Sequence, residues 1–115
     1  MKSKMFPILF SPAKIGNVTL KNRILKAPQS SGMNNKDGTV SERAIRYYSD
    51  QAKGGAGAII VEYAYVDEIG SKSAHCHLGI SSDEHIPGLS WLAECIRENG
   101  AVPALQIEHW GRQQF

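Results

Sequence analysis

The chain has 115 residues and a formal net charge of +2, with 42% hydrophobic and 21% charged residues. That composition describes one ordinary globular domain or a piece of one. No Lys/Arg run forms a nucleic-acid patch, no apolar stretch reads as a membrane span, and two cysteines, Cys76 and Cys95, are too few for a disulfide framework, which points to a reducing cytoplasm.

Lys2 and Lys4 precede a few apolar residues, but Pro7 and then Ser11-Pro12 break the run, so no signal peptide is expected. Gly16-Asn17 between short apolar stretches reads as a two-residue hairpin turn, because both residues tolerate positive φ. This hairpin is read as a cap ahead of the main fold. Arg23 to Ala27 is the first core strand, ended by Pro28, which cannot donate to a central ladder. A polar loop from Gln29 through Gly38 carries the usual turn residues.

A helix is expected from about Ser41 to Lys53, capped by Ser41 or by Thr39, which has capping-box spacing to Glu42. Ala44, Ile45, Tyr48 and Ala52 share its apolar face, and Tyr48 reads as core. The glycines from Gly54 to Gly57 end a helix and open a strand. A dinucleotide cradle has the reverse order, so Gly54 or Gly55 is the helix C-cap residue.

Ala58 to Ala64 is the second core strand, β-branched until Glu62. The loop after it, through Ser82, holds His75-Cys76-His77. That triplet lacks zinc-site spacing and offers no fourth ligand, so a metal is not expected there. A second helix runs from Asp83 or Pro87 to Asn99, with Asp83 a candidate N-cap and Gly100 at its end. Its apolar face is Ile86, Leu89, Leu92, Ala93 and Ile96, with Arg97 and Glu98 outward and Cys95 half-buried or buried. Val102 to Ile107 completes the series as a buried parallel strand, with Gln106 near its C-terminal end and Glu108, His109 and Arg112 next.

Alternating strands and helices argue for a parallel sheet, and in such folds ligands bind at the strand C-terminal ends. Those ends here are Ala27 to Ser30, Glu62 to Ala64, and Gln106 to His109. All three carry hydrogen-bonding groups and would lie on one rim. An aldolase-type barrel would want a lysine or paired carboxylates at these ends, and Lys26 is only marginally placed.

The ordered motifs resemble the N-terminal part of the old yellow enzyme family, the NADH:flavin oxidoreductases, particularly the branch with 2,4-dienoyl-CoA reductase and bile-acid or enoate reductases. They are Leu9-Phe10-Ser11-Pro12, Ile15-Gly16-Asn17, Leu20-Lys21-Asn22-Arg23-Ile24, Ala27-Pro28, Asp37-Gly38, the Tyr48 helix, Ile59-Ile60-Val61-Glu62, and Leu105-Gln106 with His109-Trp110-Gly111-Arg112. The resemblance implies an α/β fold. Residues 1–115 would be the N-terminal portion of a single flavin-binding (β/α)8 TIM-barrel domain: a capping hairpin, then roughly the first three strands and two helices. It also implies FMN at the C-terminal rim, NAD(P)H as reductant, and a small-molecule alkene, activated by a carbonyl or thioester, as substrate.

Carried over on the same resemblance, Ala27 and Pro28 would touch the flavin through backbone atoms, and Gln29 and Ser30 would lie near its reactive edge. Tyr63 stands where the family usually has a small residue whose backbone contacts the ring. Gln106 matches the glutamine that pairs with the pyrimidine edge, since one amide both donates and accepts. Ser30 stands where many members have Thr or Cys. His109 is structural on this reading. A full barrel takes about 250 residues, and the family's substrate-orienting His/Asn pair, proton-donor Tyr and flavin-phosphate Arg fall beyond Phe115. Any iron–sulfur cluster would also need sequence past that point. No catalytic residue is therefore expected among the 115 residues. The chain alone should be inactive: it is either the opening fragment of an ene-reductase or a truncated, non-catalytic fragment that functions, if at all, only with a companion chain, and its open sheet edges favour self-association.

Overall fold

A computed structural model describes residues 5–113, so Lys2 and Lys4 of the N-terminal reading lie outside the described residues. The first two strands, β1 (Ala13–Ile15) and β2 (Val18–Leu20), pair antiparallel with Ile15 opposite Val18. Gly16 takes φ +56° while Asn17 stays at negative φ. Only the first turn residue needs the left-handed region, which is the glycine-first hairpin pattern rather than the doubly left-handed one.

The main sheet is built on β4 (Ala58–Tyr65). Its parallel partners are β3 (Leu25–Lys26), β5 (Leu78–Gly79) and β6 (Val102–Glu108). β6 follows one edge of β4 from Ala58↔Val102 to Tyr65↔Glu108. β3 and β5 must therefore share the other edge, β3 at Ala58 and Ile59, β5 at Ala64 and Tyr65. The first core strand is thus shorter than the expected Arg23 to Ala27, and β5 lies inside a segment read as loop.

The first helix, α1 (Glu42–Lys53), is capped by Ser41, whose Oγ accepts from the Ala44 N–H at 3.2 Å. The Thr39–Glu42 capping box does not form. Thr39 Oγ1 instead donates to Asp37 Oδ1 at 2.6 Å, a local turn bond that competes with the cap. Gly55 at φ +104°, not Gly54, takes the left-handed position after the helix.

A 3-10 turn at Asp83–His85 precedes α2 (Ile86–Glu98). Asp83 is inside that turn, and Ser82 caps it in a capping box with His85. Pro87 sits in the first turn of α2 as expected, where its missing N–H costs nothing. Ile86 departs from the expected apolar face. It is 54% exposed, because only the later turns, through Leu92 and Ile96, reach the core.

Ala44, Ile45, Tyr48 and Ala52 of α1 pack with Ile59, Val61 and Ala64 of β4 and with Leu92 and Ile96 of α2. The helices thus cover one face of the sheet. β6 is not the fully buried strand expected, since it pairs with β4 alone, and Ile107 is 66% exposed. A leading hairpin followed by parallel β-α-β-α-β matches the expected opening portion of a (β/α)8 barrel. No helix among the described residues is long and apolar enough to cross a membrane.

Candidate functional site

Along most of its length β4 keeps simple register with β6, ending in Val61↔Leu105; the next pair is Ala64↔Ile107. Three steps on β4 thus match two on β6, so Glu62 and Tyr63 together oppose Gln106. This is a β-bulge, a device that re-aims side chains beside active sites. Val61 and Ala64 both join the helix-side core, so the alternation slips by one residue between them. Without the slip, Tyr63 would point into the helices.

Glu62 is fully buried. Its Oε1 accepts from Ser31 Oγ and, at 3.1 Å, from the Tyr48 phenol of α1; Oε2 accepts the Ser31 N–H at 3.1 Å. A buried carboxyl without donors would be costly, and these three supply its partners. Tyr48 also accepts the Glu62 backbone N–H at 3.0 Å. Burial pushes the Tyr48 phenol well above its ordinary value, opposed by the Glu62 backbone N–H and reinforced by the Glu62 carboxylate. Ser31 Oγ in turn accepts the Met33 N–H, and Met33 O accepts from the α1 cap Ser41. The loop after β3 is thereby fastened to both β4 and α1.

On the other side of the bulge, the Tyr63 ring meets His77 edge-on with centroids 4.6 Å apart, and Tyr65 meets it at 5.2 Å. His77 Nε2 lies 3.4 Å from Glu108 Oε2 at the end of β6.

The profile of the NADH:flavin oxidoreductase / NADH oxidase family matches residues 8–115. The chain belongs to this family. It is 43% identical over 108 residues to the NADH oxidase of Thermoanaerobacter brockii, covering 94% of this chain and 17% of that protein. It is 37% identical to the NADPH dehydrogenase of Listeria welshimeri, covering 91% and 31%. Among solved structures it superposes on 2-naphthoyl-CoA reductase with a TM-score of 0.91 at 34% identity, covering 96% of this chain and 17% of the other. The Trypanosoma cruzi old yellow enzyme gives 0.85 at 33% identity, covering 96% and 29%. The chain therefore spans a third or less of these relatives, and its fold is the N-terminal portion of their barrel.

The flavin-facing set expected from the family motifs falls into three places. Ala27, Pro28, Gln29 and Ser30 run on from β3 and lead into Ser31, which bonds Glu62. Tyr63 lies in the bulge and Gln106 opposite it. Gln29, Ser30 and Gln106 are exposed and their side chains make no hydrogen bond among the described residues, while Pro28 and Tyr63 are half-buried. His75 is exposed and His77 buried, so the His-Cys-His triplet does not converge. Lys26 turns to α1, its Nζ 5.6 Å from the Tyr48 ring centroid and bonded to Ala27 O, which removes the lysine-barrel reading.

Sequence reasoning missed the Ser31–Glu62–Tyr48 network and the His77–Glu108 contact. The available signal for the first was Glu62 itself, a carboxylate ending an otherwise apolar run. A concavity lined by Phe10, Lys21, Asn22, Lys26, Gln51 and Gly54 adjoins the start of β4, the opposite end from the family's rim, and offers no chemistry of its own.

Proposed function

We propose that the chain is part of a single flavin-binding barrel domain and supplies the ring-facing half of an FMN site in an NAD(P)H-dependent ene-reductase. The observation that carries this reading is the bulge, which sets Tyr63 opposite Gln106, whose amide makes no hydrogen bond among the described residues. One amide that both donates and accepts suits a carbonyl beside a ring N–H. Bound FMN would carry hydride from the nicotinamide to an activated C=C bond. Gln106 then orients the ring edge, Ala27 and Pro28 approach it through backbone atoms, and Gln29 and Ser30 line its reactive side. Glu62, through Ser31, holds that loop in place without touching the ring. Tyr63 and Tyr65 keep water from the wall beyond.

Likeness to 2-naphthoyl-CoA reductase supports a thioester-activated substrate and the 2,4-dienoyl-CoA reductase branch, and likeness to a morphinone reductase solved with tetrahydroNAD supports a nicotinamide donor. A second reading, a partner chain that completes the barrel, is favoured by the outer edge of β6 and the groove of Leu89, Leu92, Ala93, Pro103 and Leu105 beside it. Cys76 and Cys95 are both free, which fits a cytoplasmic protein.

The test is a chimera in which this chain replaces the matching segment of the Thermoanaerobacter brockii NADH oxidase. It should retain FMN and reduce an enone with NADH. Gln106→Ala should weaken FMN retention by about 1–3 kcal/mol, the cost of unpaired buried polar partners. A folded chimera free of flavin, or equal affinity in Gln106→Ala and parent, sinks the assignment.

A further inference from the structure

One step past Gln106 on the same face of β6 stands a group that the flavin reading leaves unused. The His77 side chain is 1% exposed, and its Nε2 lies 3.4 Å from Glu108 Oε2. Neither atom has a well-aligned hydrogen bond among the described residues, and Trp110 Nε1 is buried in the same condition. Buried polar atoms left so are costly and ask for a reason. The Ser73 N–H donates to His77 Nδ1 at 3.1 Å, so Nδ1 carries the lone pair. The proton of the neutral ring is then on Nε2, which lies near Glu108 Oε2 without a well-aligned bond to it.

This contact is not an ordinary ion pair, which would raise the histidine and lower the carboxyl. Burial instead holds His77 below its ordinary value, against weaker upward pulls from the Tyr63 backbone and Glu62 and with a downward push from Lys72. Burial pushes Glu108 up, opposed by the nearby Trp110 indole. The two proton affinities thus approach each other. The titratable groups facing the pair are Glu62, Tyr63 and Tyr65 of β4 and Lys72 of the β4–β5 connection.

We propose that His77 and Glu108 form one electrostatically coupled pair in the wall of the site, His77 as the positioning residue and Glu108 as the group presented to the ligand. Its place beside the ligand rests on the FMN-site reading; the pair itself does not. When Glu108 carries a proton of its own it can donate that proton to a carbonyl oxygen of the ligand, while His77 stays neutral with its proton on Nε2. Once that proton is lost, it can only accept from an N–H or O–H.

Deuterium exchange at imidazole C2, localised to each histidine by fragment-ion mass spectrometry across pH, reads the pair in the full chain. It requires neither flavin nor a monodisperse sample. The His77 midpoint should lie below the ordinary histidine value of 6.5. In Glu108→Gln, where the carboxylate favouring the imidazolium is gone, its proton affinity should fall a further tenfold or so. Glu108→Asp keeps the charge and should recover most of the parent midpoint. An unchanged His77 midpoint in Glu108→Gln overturns the pair. So does parallel movement of His75 and His85, which marks a general rearrangement. Failure of the chimera to hold FMN would leave these midpoints untouched and bear only on the flavin reading.

Discussion

Tyr48 and Glu62 hold each other twice: the phenol donates to Glu62 Oε1 at 3.1 Å and accepts the Glu62 backbone N–H at 3.0 Å. One side chain thereby satisfies both a buried carboxyl and a backbone donor that the bulge diverts from its ladder. The rim loop depends on this contact, because Ser31 hangs from the same carboxyl.

Tyr48→Phe should strip both bonds while keeping the ring in the core. Leaving buried partners unpaired costs about 1–3 kcal/mol, which is roughly five- to 150-fold in local opening. Amide exchange of residues 31–39 should accelerate by that factor. Tyr48→Phe and Glu62→Gln combined should cost less than their sum, since both act on one network. Strict additivity, or unchanged exchange in the loop, would show that the contact does not fasten it.

A pH dependence follows from His77. Its folded value is depressed below the ordinary 6.5 by burial. The unfolded chain therefore binds more protons in the window below that value, so stability is full above it and falls as pH drops through it. Glu108, raised above 4.5, has the opposite sign: its contribution is gained as pH falls toward 4.5 and partly offsets the loss. The protection factors of the Leu78 and Gly79 amides, next to His77, should fall below pH 6.5 or so. Glu108→Gln should steepen the change and His77→Gln should flatten it. A flat profile in the parent would contradict the depressed value.

The helices and main strands were legible because their apolar periodicity is strong. Tyr48 reads as core from spacing alone, and it is. The misses have physical causes. β5 is two residues long and pairs only with Ala64 and Tyr65, too short for any period to show. The bulge at Glu62 depends on register with a strand some forty residues later, which local pattern does not encode. Gln106 was legible through its place near a strand exit. The N-cap choice between Thr39 and Ser41 turned on Asp37, which captures Thr39 first.

The open edge of β6 has a consequence for the isolated chain. An unpaired strand edge is a template for association, and Ile107 adds an exposed apolar side chain to it. Sedimentation velocity should show concentration-dependent oligomers or aggregate. Ile107→Lys should reduce the association by placing a charge on that strand. A monodisperse parent with cooperative unfolding would remove the argument.

The last expectation is that the isolated chain holds FMN weakly if at all and shows no ene-reductase turnover. The ring contacts proposed for it are Ala27 to Ser30, Tyr63 and Gln106. Each neutral hydrogen bond among them contributes about 0.5–1.5 kcal/mol, while association first costs several kcal/mol of lost freedom. The phosphate is the most charged part of FMN. In barrels of this kind it is usually held by loops after strands 7 and 8, and this chain reaches only its opening strands. Hydride transfer further needs the alkene held at near-contact distance over the ring. Fluorescence titration of FMN with purified chain tests the binding, and NADH-dependent enone reduction tests the turnover. Micromolar or tighter binding, or turnover above that of free FMN, would mean that these strands assemble a working site unaided.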